Sequence, residues 1–112
     1  MQTKHVKPEA FHITVLGQRV RVEIVKDLLF RGDACEGLCL PSERVIQIDD
    51  DLRKDPRRFE RVLVHETFHM AVRLAGMNEL IDLPTEEAMA VLVESVFTSP
   101  TSLRLDYEWS DQ

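Results

Sequence analysis

The sequence has few of the residues that commit a chain to special architectures. Four glycines and five prolines in 112 residues are too few for a linker-rich or low-complexity chain, and no segment repeats. Two cysteines, Cys35 and Cys39, do not make a disulfide framework and fit a reducing compartment. No apolar run is long enough to span a membrane, and the opening MQTKHVKPEA lacks the apolar core of a signal peptide. These absences point to a cytoplasmic location. Excess positive charge is also missing. The net charge is −6 and the pI about 5.1, which disfavours a nucleic-acid partner. Arg53, Lys54, Arg57, Arg58 and Arg61 cluster, but acidic residues surround them, and a solvated face accounts for the group.

What remains is ordinary for a soluble globular domain: 44% apolar and 30% charged residues, long enough for one domain over 1–112 with a modest core. Phe11 to Leu16 and Arg19 to Val25 alternate apolar and polar residues around Gly17-Gln18, which reads as strand, turn, strand. Asp27 to Arg31 reads as a short turn of helix leading away. A second strand pair is expected at Cys35 to Leu40 and Arg44 to Asp49, joined by Pro41-Ser42-Glu43, so strands fill 11–49.

Asp55-Pro56 is a strong helix start, because Asp accepts from free N–H groups and Pro fits the first turn. Phe59, Val62, Leu63, Phe68, Val72 and Ala75 recur at helical spacing, and Gly76 can close the helix. A helix over 56–75 follows. Pro84-Thr85-Glu86-Glu87 opens a second helix, over about 85–97, which Pro100 stops. The tail over 101–112 alternates Leu103, Leu105, Tyr107 and Trp109, the pattern of a short strand. Strands followed by helices give an α+β fold, a small antiparallel or mixed sheet packed on two helices.

The chemistry lies in His65-Glu66-Thr67-Phe68-His69 on the first helix. Residues four apart share a helix face, so two neutral imidazoles can grip one ion there. Zinc prefers four tetrahedral ligands, and these supply two. Glu66 is turned about 100° away, too far to be a third ligand on that face but able to reach a water on the metal. H-E-x-x-H on a helix is the pattern in which the glutamate serves as general base of a zinc peptidase. If the histidines were only packed side chains, Glu66 would form a surface pair with Arg61 or Arg73.

A catalytic zinc needs a third protein ligand and an open position. No histidine follows His69, so the ligand is expected to be a carboxylate. Glu86 or Glu87 could reach it from the first turn of the second helix, and Glu79, Asp82 and Glu94 are weaker candidates. Acids at a helix N-terminus are also favourable for their own sake, which accounts for at least one of the pair.

His65-Glu66-x-x-His69 followed by Glu87-Ala88 resembles the gluzincin clan of zinc metallopeptidases, of which thermolysin is a member. With Val45 to Asp49 just ahead of the motif helix, the chain looks more like the minimal gluzincins of the ImmA/IrrE type and related phage or prophage metallopeptidases. The resemblance covers roughly 37–97. It implies a minimal zincin-like fold, a Zn2+ ion held by His65, His69 and Glu87, Glu66 as general base, and a peptide or protein substrate. It departs at Val91, where thermolysin-like enzymes have an Asp that orients a ligand histidine. That role would fall to Asp82, Glu94 or a backbone carbonyl. The transition state also needs a donor to its oxyanion, for which Tyr107, His12 and His5 are the available side chains. The strand over Arg44 to Asp49 offers an edge on which an extended substrate could lie.

Two other readings use the same residues. Cys35 and Cys39 with His65 and His69 contain the ligand types of a closed structural zinc site, although two cysteines four apart on a strand sit about 13 Å apart. Alternatively, the domain keeps the metal and acts as a silent interaction module, or works with a regulatory protein partner.

Overall fold

The computed structural model describes residues 9–97 and 108–109. It is an α+β fold built on a mixed sheet. Strand β1 (Glu9–Val15) turns through Leu16 and Gly17 into β2 (Gln18–Val25). Both turn residues have positive φ, 49° and 76°, as a two-residue hairpin of matching twist requires. The turn therefore sits one residue earlier than Gly17-Gln18, and Val15 pairs with Gln18. That register puts Phe11, Ile13, Val15, Val20, Val22 and Ile24 on one face, all buried.

The helical turn expected at Asp27 to Arg31 is instead half of a small hairpin. β3 (Leu29–Phe30) and β4 (Asp33–Ala34) pair across Arg31 and Gly32, again both at positive φ. Asp49 anchors its entry, its Oδ1 accepting from the Leu28 N–H at 2.8 Å. β5 (Gly37–Leu40) then pairs antiparallel with β6 (Val45–Asp49), and β6 runs parallel to β2. The strand order is β5-β6-β2-β1-β7, with β7 (Glu108–Trp109) beside β1. The final strand expected within 101–112 is thus present at 108–109; the rest of that tail lies outside the described residues.

This order corrects the expected substrate edge. Val45 to Asp49 has a strand on both sides, so it offers no edge; β5 does. The Asp49 N–H donates to the Glu36 carbonyl at 2.9 Å, which marks 36 and 49 as a hydrogen-bonded pair. In an antiparallel ladder such pairs alternate, so Gly37 and Cys39 turn their N–H and C=O groups outward.

Helix α1 (Pro56–Leu74) lies across the sheet. The Asp55 side chain caps it by accepting from the Arg58 N–H, and Gly76, at φ 72°, follows it. Leu63 and Met70 join the strand residues with Ile46, Ile48 and Leu52 in one apolar cluster, with Phe59, Val62 and Leu74 at its margin. Each such side chain stabilises the fold by roughly 1.5–3 kcal/mol, so this cluster fixes α1 on the sheet.

Helix α2 (Leu83–Phe97) packs on α1. Asp82 accepts from the Thr85 N–H at 2.8 Å and caps α2, so it neither ligates nor orients a histidine. The Thr85 side chain and then its backbone N–H, both bonding the Asp82 carboxylate, hold that carboxyl below the usual range. α2 buries Glu86 and Ala90, at 1% and 0% exposure, while Leu92 and Val96 stand 63% and 52% exposed. No helix among the described residues is long and apolar enough to cross a membrane.

β5 approaches α1 closely at Gly37. A Cβ there would stand 2.6 Å from Val62 Cγ1 and 2.9 Å from Glu66 Cγ. Gly37→Ala is therefore expected to lower stability by about 1–3 kcal/mol, the usual cost of overpacking, in a urea titration. A midpoint equal to wild type would show that β5 is free to move away.

Candidate metal centre

α1 divides into two faces. Phe59, Leu63, Met70 and Leu74 meet the sheet; His65, His69 and Arg73, at intervals of four, meet α2. α2 answers with a stripe about 120° wide that holds Glu86, Glu87, Ala90, Val93 and Glu94. The two helices thus face each other largely through imidazoles and carboxylates.

Each imidazole is held by a different acid. His65 Nδ1–H donates to Glu94 Oε1 at 2.6 Å, and His69 Nδ1–H donates to Glu86 Oε2 at 2.5 Å. Both Nε2 atoms therefore point the same way and lie 3.3 Å apart. Glu87 spans them, with Oε2 3.0 Å from His65 Nε2 and Oε1 3.0 Å from His69 Nε2. Among the described residues His65, His69 and Glu87 form a group whose ligand atoms all lie within 4.8 Å of one another.

A metal ion fits this arrangement. At zinc–nitrogen bonds of about 2.0–2.1 Å, two ligands of a tetrahedral ion stand about 3.3–3.4 Å apart, which matches the Nε2 pair. Two imidazoles and a carboxylate are a borderline to hard donor set that suits zinc. Histidine ligands commonly give their second N–H to a carboxylate, which fixes tautomer and ring orientation. Here Glu94 and Glu86 occupy those positions. Three protein ligands leave one position open.

Glu66 sits between the two faces of α1, under β5. Its Oε2 is 3.1 Å from where a Gly37 Cβ would be. Burial raises its pKa, the two histidines lower it, and Glu87 and Glu94 raise it again; the net shift is upward. For His65, burial favours the neutral ring, but the Glu94 hydrogen bond and the charges of Glu87, Glu66 and Glu94 outweigh it and raise its pKa. Two depressions flank the group, and Glu66 lines both. One, of about 420 Å³, is bounded by Gly37, Arg58, Arg61 and Glu94; the other, of about 330 Å³, by Cys39, Pro41, Arg73 and Leu83.

The remaining candidates fall elsewhere. Cys35 and Cys39 are free thiols and do not belong to the ligand group. Burial pushes the Cys39 thiol up to about 12. His12 alternates with the buried Phe11 and Ile13, so it faces away from α1, where Arg19 Nη2 lies 3.3 Å from its Nδ1. It is not at the group. Tyr107 and His5 lie outside the described residues. Glu66 pairs with neither Arg61 nor Arg73; Arg61 Nε stands 3.7 Å from Glu94, and Arg73 Nη2 stands 3.6 Å from Glu86. The sequence offered Glu94, beside Asp82 or a backbone carbonyl, for an orienting role, and did not offer Glu86 for one. The signal was spacing: Glu94 is seven residues after Glu87, two turns along one helix face.

The chain matches no protein-family model, no curated protein and no solved structure, so its chemistry rests on side-chain geometry alone.

Elemental analysis and zinc titration check the centre. Glu87→Ala is expected to lose the ion. Glu94→Gln and Glu86→Gln should each weaken zinc binding about 10- to 100-fold, and Cys35→Ala and Cys39→Ala should leave it unchanged. Zinc lost with the cysteines and kept without Glu87 would instead establish a closed structural site.

Proposed function

We propose that this chain is a zinc-dependent peptidase of the minimal gluzincin kind, with His65, His69 and Glu87 holding the ion and Glu66 as general base. One observation carries the reading. Each imidazole gives its Nδ1–H to a carboxylate, which leaves both Nε2 atoms turned to one point that Glu87 also faces. When bound, zinc polarises a carbonyl oxygen and brings the pKa of a water towards about 7.

The protein's own groups do the rest. Glu66 takes a proton from the attacking water on its carboxylate and delivers it to the leaving amine nitrogen. Its raised pKa suits both halves of that transfer, because a base works best when its pKa lies nearer the working pH. Gly37, lacking a Cβ, lets the edge strand β5 lie close over Glu66. An extended peptide that bonds to the outward groups of Gly37 and Cys39 would pass beside Glu66. This favours unfolded segments or loops as substrates.

The exposed apolar residues of α2, Met89, Leu92 and Val96, favour a second reading. In it the domain binds zinc and contacts a partner protein through α2 without cleaving anything. The Glu66→Gln variant separates the two. It is expected to keep its zinc and to lose at least about a hundredfold of the rate at which wild type degrades an unfolded protein such as casein. Equal cleavage by wild type and variant would remove Glu66 from the mechanism. No cleavage by zinc-loaded wild type would favour the interaction module.

A further inference from the structure

We propose that Arg73 sets substrate specificity by holding a carboxylate of the substrate in the depression of about 330 Å³ beside the metal centre. The proposal rests on the peptidase reading and names the substrate class it would take.

Arg73 lies one helical turn beyond His69, on the same face of α1. Its depression contains Glu66, His69 and Glu87, so anything seated there is a neighbour of the reacting group. The far wall is Cys39 and Pro41, at the end of the edge strand β5, with Leu83 from α2. Among the described residues Arg73 is the one arginine or lysine in that lining. Its side chain is 36% exposed, with Nε buried, and it lines the depression.

The guanidinium carries five N–H donors. Among the described residues none makes a hydrogen bond: Nε is buried without a partner, and the nearest charge, Glu86 Oε1, is 3.6 Å from Nη2. Glu86 is itself committed to His69 through its other oxygen. The contrast with the opposite depression is clear. There Arg58 gives Nε–H and Nη2–H to both oxygens of Glu36, at 2.5 and 2.7 Å; Arg61 is more than half exposed, its Nε 3.7 Å from Glu94. Among the described residues that line the two depressions, Arg61 and Arg73 are the arginines whose side chains make no hydrogen bond, and Arg73 is the less exposed of the two.

A planar fork of donors fits a carboxylate in two parallel hydrogen bonds, a match that lysine cannot reproduce. Three acids share the depression, and Glu86 Oε1 is buried there without a hydrogen bond, 3.6 Å from Arg73 Nη2. Glu87 faces both Nε2 atoms, Glu86 faces His69, and Glu66 lies under Gly37. An ion held by His65, His69 and Glu87 would offset their charge. The carboxylate has two sources, an acidic side chain next to the cleaved bond or the C-terminus of a short peptide.

Calorimetric binding of peptide hydroxamates to the zinc-loaded full chain distinguishes them. One probe carries a glutamyl side chain and an amidated end. The second replaces it with glutamine, and the third is the glutamine compound with a free C-terminus. Wild type is expected to prefer one acid over the neutral probe by roughly ten- to a hundredfold, the usual value of a charge-assisted hydrogen bond. Preference for the first probe identifies a side chain, and preference for the third a chain terminus. Arg73→Gln should retain zinc and lose the preference. Arg73→Lys keeps the charge beside buried Glu86, so it reports even where the glutamine variant fails to fold; its preference should also shrink. Equal affinity of wild type for all three probes, or a preference unchanged in Arg73→Lys, overturns the proposal and leaves the metal centre intact. Failure of every probe to bind overturns the peptidase reading and this proposal with it.

Discussion

The pairing of α2 carboxylates with α1 imidazoles is the contact on which the site depends. α2 is an inverted amphipathic helix: it buries Glu86 and turns Met89, Leu92 and Val96 outward. The hydrophobic effect therefore contributes little to its seat. A buried carboxylate is costly unless hydrogen-bonded, and the His69 Nδ1–H supplies that bond to Glu86, with Arg73 3.6 Å from its other oxygen. The same contacts aim both Nε2 atoms at Glu87. Docking of the helix and construction of the centre are one event, and an ion would bind them more tightly still.

The two faces of α1 divide the labour. The face towards the sheet is held by a continuous apolar cluster, which needs nothing from the centre. The face towards α2 is free to carry polar groups because the first already fixes the helix. Glu66 stands at the boundary, near enough to the core for burial to raise its pKa and near enough to the group to line both depressions. Gly37 is the matching concession on β5, since any side chain there would press on Val62 and Glu66.

Local features of this arrangement were legible in the sequence. Asp55-Pro56 and Gly76 bracket α1 because capping is decided by a few neighbouring residues. Alternation identified β1 and β2, and helical spacing put His65 and His69 on one face. Non-local features were not. The parallel pairing of β2 with β6 joins segments some twenty residues apart, and nothing in either announces it; the edge was consequently assigned to β6 instead of β5. The hairpin over Leu29 to Ala34 was missed because its turn, Arg31-Gly32, places an arginine at positive φ. Glu86 was hard to read for another reason. An acid in the first turn of a helix already has an ordinary cause, which masked its contact with His69.

The central claim, that the ion would be held by two imidazoles and a carboxylate in an open site, is tested most directly by X-ray absorption at the zinc edge of the loaded protein. The account predicts a first shell of nitrogen and oxygen only, at about 2.0–2.2 Å, with the scattering pattern of two imidazoles. A sulfur shell at about 2.3 Å would place Cys35 or Cys39 on the metal and contradict it.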